Sequence, residues 1–203
     1  MRASFCLLLL FKMTSVLAGS GSFYSYSVNE RSRILLTGTT NVNSYECVSD
    51  SEIPRGNMMA DILPGSNAIY FSDALLGLEV TSFDCGNRMM NKDLHQALGG
   101  SNSPFIKINL LEARPVSSAQ RPNSGKIRVE IAININGKTK NTDLVVDFRN
   151  TSDFSYVISG TKELLMSDFG IDPPSPALGL VRVRDKVTIH FDLLIETSLI
   201  TQN

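Results

Sequence analysis

Hydrophobic and polar residues alternate with a period of two over several stretches of this chain. The clearest is 126–136, where Ile127, Val129, Ile131, Ile133 and Ile135 alternate with Arg128, Glu130, Ala132 and Asn134. Alternation of this kind puts each set of side chains on its own face, and β-branched residues favour extended backbone, so a half-buried strand is predicted. Asn136-Gly137 follows, a pair suited to the φ > 0 positions of a two-residue hairpin turn. The return strand is predicted over 142–149, with Leu144, Val146 and Phe148 on one face. Residues 187–194 repeat the pattern, Val187, Ile189, Phe191 and Leu193 against Thr188, His190, Asp192 and Leu194. In 107–113 the apolar face continues from Ile106 through Ile108 to Leu110. Strands are also predicted over 34–40, 75–83 and 156–165, the last interrupted by Gly160.

Residues 91–98 are different. Leu94, Ala97 and Leu98 have helical spacing, and Gly99-Gly100 ends the segment. Two stretches rich in proline, serine or glycine, 114–125 and 172–176, read as loops. Many short strands, one short helix and frequent turns predict an all-β antiparallel barrel or sandwich. No period of 20–50 residues recurs, which excludes a solenoid.

Charge narrows the function. The net charge is −1 with no basic stripe, which excludes nucleic-acid binding through clustered Lys and Arg. Only two histidines, His95 and His190, are present, so few side chains are available for proton transfer near neutral pH. At the N-terminus, Arg2 precedes an apolar run over 5–11 that contains Cys6 and stops at Lys12. Val16 and Ala18 are the small residues of a signal-peptidase site, with the cut expected before Gly19. Residues 1–18 are therefore read as a signal peptide and 19–203 as one domain, the alternative being an uncleaved, buried N-terminal segment. Leu17-Ala18-Gly19-Ser20 resembles a bacterial lipoprotein box with serine at the lipidated position. A periplasmic or secreted product without a lipid anchor is expected.

Several segments, in order, resemble one family. Ile34-Leu35-Leu36-Thr37-Gly38-Thr39-Thr40-Asn41-Val42 is similar to an early strand entering a Gly/Ser turn. The stretch from Phe83-Asp84-Cys85 to Lys92-Asp93-Leu94 resembles the entry to a short helix, and Ser103-Pro104-Phe105-Ile106-Lys107-Ile108 a "YPxIxF" strand opening. Ile133-Asn134-Ile135-Asn136-Gly137-Lys138-Thr139-Lys140 resembles an "LxGVTK" turn with Lys138 in place of Val. Ser167-Asp168-Phe169-Gly170-Ile171 resembles an "RxDFGI" segment, and 187–193 a closing strand. Asp-Phe-Gly also occurs in protein kinases, but the glycine-rich loop and catalytic-loop motif are missing here. Together these segments resemble the YceI-like family, lipocalin-like proteins named for polyisoprenoid binding, over roughly residues 23–195. The resemblance implies an antiparallel eight-stranded lipocalin-like barrel with one short helix, holding a polyisoprenoid or quinone-like chain in an apolar interior. It implies a non-catalytic protein with no cofactor beyond such a lipid, and it allows a homodimer or contacts with envelope proteins.

Parity assigns Ile127, Val129, Ile131, Ile133, Leu144, Val146, Phe148, Ile189 and Phe191 to the inward face, as cavity lining or as packed core. Phe105, Ile108 and Phe169 join the lining set because they sit in the family-like segments. Cys47 and Cys85 are expected to pair in an oxidising compartment, the alternative being two free buried thiols. No second ligand pair accompanies them, so zinc is not expected. His95 beside Asp93 is the starting point for a hydrolase reading, but no nucleophile stands at recognisable spacing and no GxSxG elbow exists. Asn150-Thr151-Ser152 is a formal glycosylation sequon, relevant only in a eukaryotic secretory pathway. A third reading is an envelope structural protein with a filled barrel, contacting partners through 114–125 and 172–176.

Overall fold

The computed structural model describes residues 21–49, 52–116, 123–175 and 180–201. The leader, its expected cleavage site and Cys6 lie outside these, as do 117–122 of the first expected loop and the end of the second. The strands are β1 (Ser22–Val28), β2 (Arg33–Thr40), β3 (Ser44–Ser49), β4 (Gly56–Asp61), β5 (Ile69–Ser72), β6 (Leu75–Glu79), β7 (Phe83–Asp84), β8 (Phe105–Pro115), β9 (Ser124–Ile135), β10 (Lys138–Ser152), β11 (Ser155–Leu165) and β12 (Val183–Leu199). Among the described residues one α-helix, α1 (Arg88–Ala97), lies between β7 and β8.

All pairings are antiparallel, and the order β1-β4-β5-β8-β9-β10-β11-β12 closes on itself through β1 and β12, with Tyr24 opposite Leu199 and Val28 opposite Ile195. Closure removes free edges, and a ring of eight leaves an interior of ligand size. The predicted hairpin heads the most regular part of the wall. Asn136 (φ 49°) and Gly137 (φ 78°) form its turn, and β9 and β10 pair in unbroken register from Ile135–Lys138 to Ser124–Arg149. The return strand therefore reaches well beyond the 142–149 read from the sequence, because cross-strand pairing carries polar residues that alternation alone does not mark.

The first half of the chain builds its walls from broken pieces. β1 and β2 lie end to end along β12, separated by a turn over 29–32 whose gap is filled by hydrogen bonds from Asn29 N to Leu194 O and from Leu194 N to Ser32 Oγ. β3 and β4 are likewise collinear, and β5 and β6 are split beside Asp73, which adopts φ 62°. The predicted strand over 75–83 breaks accordingly: β6 ends at Glu79, a 3-10 turn covers Val80–Ser82, and β7 leaves β6 to pair with β3. The sequence reading missed β1, β3, β4 and β5; residues 58–66 contain the end of β4 and its turn into β5.

Two buried clusters fill the barrel unequally. The larger includes Leu36, Cys47, Val80, Phe83, Ile133, Phe169 and Ile171, at the end where α1 lies. The smaller, at the opposite end, has Ala113, Val129, Leu144 and Val146 as its buried members, with Phe71, Leu110, Ile127, Ile131 and Ile158 only partly buried around them.

Candidate functional site

An apolar cavity of about 1300 Å³ runs through the barrel, with walls from both clusters. Its size exceeds the usual ligand pocket of roughly 300–1,000 Å³. Inward-facing residues in the smaller cluster's half remain partly accessible because they face this space rather than one another. The alternation read from the sequence sets the lining: Ile127, Val129, Ile131 and Ile133 from β9 and Leu144, Val146 and Phe148 from β10 all border the cavity. Ile108, Phe169, Ile189 and Phe191 border it as well.

Phe105 departs from the expected lining set. It is exposed, and it lies opposite Glu79 at the start of β8. In β8 the inward parity belongs to Ile106, buried, and Ile108, so Phe105 necessarily faces out. Strand parity, not a place in a family-like segment, decides the side on which Phe105 lies. The missed lining comes chiefly from the broken strands: Tyr24, Tyr26, Met58, Ile69, Phe71 and Tyr45. These stretches are too short for alternation to register.

Glycines make room for the aromatics on this wall. Gly160 faces Phe191 across the β11–β12 pair, and a Cβ at 160 would stand 2.8 Å from the Phe191 ring and 3.2 Å from Val146. Tyr26 lies over Gly56 in the same way and reaches on to the β5–β6 break. There its hydroxyl donates to Leu75 O and accepts from Leu75 N at 3.1 Å. Burial pushes the Tyr26 phenol above its ordinary pKa, opposed by the bond to Leu75, and burial raises Tyr45 likewise. Both hydroxyls therefore stay protonated at neutral pH.

The two ends differ. At one end the segment 80–98 fills the gap between β3 and β6. Val80 and Phe83 are buried, and a disulfide joins Cys47 in β3 to Cys85 (S–S 2.01 Å). Asn87 caps α1 by accepting from Met89 N and Met90 N, and Asn91 accepts from Cys85 N while donating to Asp84. The bond from Asn91, and after it the one from Gly86 N, hold the Asp84 carboxyl below its usual pKa. Leu94 and Ala97 then pack on the core. The predicted helix begins at Arg88, earlier than expected, because a cap rather than an apolar residue starts it. The 3-10 turn Met166–Phe169 adds Phe169 to the same plug. The opposite end has no comparable plug among the described residues and forms the mouth, where Asn67, Arg114 and Asp153 border the cavity; at the α1 end Asn43, Glu46, Asn87 and Asp93 border it too.

The histidines stand apart from the cavity. His95 Nε2 donates to Phe83 O at 2.8 Å, which ties α1 to β7. His190 Nε2 and Nδ1 meet Thr37 Oγ1 and Thr161 Oγ1 at 3.3 and 3.2 Å, bridging β2, β12 and β11. In both cases the ring joins neighbouring elements.

The fold is similar to BcnA from Burkholderia cenocepacia, at 18% identity and TM-score 0.62, covering 83% of this chain and 99% of that one. It is also similar to a polyisoprenoid binding domain from Saccharophagus degradans implicated in plant cell wall breakdown. There the identity is 11% and the TM-score 0.60, covering 86% and 98%. No curated protein matches the sequence. The profile of the YceI-like domain matches residues 48–195, from the end of β3 into β12, which is most of the barrel just described, and the chain belongs to the YceI-like family.

Proposed function

We propose that this protein is an exported, non-catalytic carrier that holds a polyisoprenoid or quinone-like chain in its barrel. The observation that carries the reading is the apolar cavity of about 1300 Å³ inside a closed eight-stranded ring. At roughly 30 Å³ per water-sized group, such a space takes on the order of forty non-hydrogen atoms. A hydrocarbon chain of that size presents no hydrogen-bonding groups, so its affinity comes from area buried, roughly 25 cal/mol per Å². The structural likeness to a domain named for polyisoprenoid binding supports this reading through the fold. Export agrees with the disulfide, which persists in oxidising compartments.

Native mass spectrometry of the protein purified from its own envelope, followed by organic extraction, tests the proposal. A bound species of isoprenoid mass is expected. Ile131→Arg, which puts a charge on the cavity wall, is expected to fold and to lose that species. An empty protein that takes up no added isoprenoid would refute the carrier role and leave a barrel that works through protein contacts.

A further inference from the structure

Large apolar side chains are exposed at Phe23, Ile62, Leu63, Val116, Phe154 and Ile200. Scattered singly they would need no explanation, but the register brings these six to the mouth, whereas Val42, Met89 and Leu180, also exposed, lie toward the α1 end. Ile200 N donates to Phe23 O and Thr197 N to Phe154 O, both at 2.8 Å, while Val116 N donates to Lys126 O at 3.1 Å. Ile62 and Leu63 lie in the turn between β4 and β5, where Asp61 faces Tyr70 and Ile69 faces Ala113 of β8. The apolar tips thus come from separate segments and surround an opening. Among the described residues at this level the charged side chains are Asp61, Arg114, Lys126, Asp147, Arg149 and Asp153; Arg114 is paired with Glu112 and Lys126 with Asp147, so the net charge is small. Phe154 belongs both to the rim and to the cavity wall, so apolar surface is continuous from the interior to the tips.

A protein partner would call for a contiguous patch with a polar border, and an anionic membrane for a basic cluster. A ring of aliphatic and aromatic tips around a hole, with little net charge, matches a neutral lipid surface into which separate side chains insert. We propose that the mouth docks on lipid bilayers through this rim, with the adjacent Ile62 and Leu63 of the β4–β5 turn among its contacts, so that the cavity opens toward the acyl chains. The inference rests on the carrier reading for its purpose and extends it to how the lipid enters.

The test is flotation of the purified protein with phosphatidylcholine vesicles at low and high salt. Wild type is expected to float equally at both, and I62S/L63S to lose roughly tenfold or more of its partitioning, since apolar area drives insertion. Val42→Ser, at an exposed residue in the turn at the plugged end, should float as wild type. The sequence contains no tryptophan, so Leu63→Trp gives a single fluorophore whose emission should shift to the blue with vesicles, while Val42→Trp should not. Wild type that stays unbound, or I62S/L63S that floats like wild type, overturns the proposal. So does a dimer in sedimentation that dissociates in I62S/L63S, because a second copy would then cover the rim. Uptake of a fluorescent isoprenoid in the absence of vesicles is measured in parallel. Vesicle binding without uptake defeats the carrier role and leaves the docking surface standing, and uptake without vesicle binding defeats only the docking.

Discussion

Reduction of Cys47–Cys85 is expected to lower stability substantially while leaving the barrel folded. The bond closes a loop with a sequence separation of 38 residues. On the chain-entropy argument, a loop of that length restricts the unfolded chain by roughly 13 cal/mol/K, about 4 kcal/mol at 25 °C. In the folded state the partners are held independently: Val48 pairs with Asp84, Ser49 with Phe83, and the Ser49 and Ser82 hydroxyls meet at 2.8 Å. Reduction therefore releases the unfolded chain more than the native one. For a domain of this size about 4 kcal/mol corresponds to a fall in Tm of roughly 8–16 °C. The assay is thermal unfolding followed by circular dichroism with and without a phosphine reductant, together with Cys47→Ala/Cys85→Ala. The double variant should fall somewhat further, because Cys47 is fully buried and its sulfur leaves a void. A change in Tm below about 2 °C would refute the reasoning, by showing that the unfolded chain already keeps 47 and 85 together. Free thiols titrated in the unreduced protein would refute the pairing itself.

Other perturbations probe separate parts of the fold. Phe169→Ala empties the plug at the α1 end and should cost about 3–5 kcal/mol in urea denaturation; a loss under 1 kcal/mol would mean that the plug does not support the barrel. Tyr26→Phe leaves both backbone groups of Leu75 without the hydroxyl that now joins them, and a loss of about 1–3 kcal/mol is expected. Unchanged stability would show that water replaces the hydroxyl at no cost. Asp185 accepts from the side chain and the backbone N–H of Ser167, the side-chain bond lowering its pKa most. A depressed folded pKa gives stability that is full above the ordinary carboxylate value near 4 and is lost as pH falls toward the lower folded value. Asp185→Asn should therefore flatten the acid side of a stability–pH profile, and a profile identical to wild type would remove Asp185 from the account.

Strand alternation determined much of this protein by itself. The runs of branched apolar residues in β9 and β12 and the Asn136-Gly137 turn specify half-buried strands and a tight hairpin locally, because the period of two and the left-handed turn are properties of adjacent residues. The same parity sorts Ile131, Val146 and Phe191 inward, and where it was set aside, at Phe105, the side chain proved to face out. Tertiary structure decided the rest. β1, β3, β4 and β5 are too short or too polar to announce themselves, and the broken strands of the first half become walls only because long strands such as β8 and β12 supply paired edges for two pieces each. Whether inward residues fill the barrel or line a space depends on ring closure and on how far opposite walls stand apart, quantities set by all the strands together. The same holds for the mouth: Phe23, Ile62, Val116, Phe154 and Ile200 are scattered along the sequence, and only the register of the closed barrel gathers them around one opening.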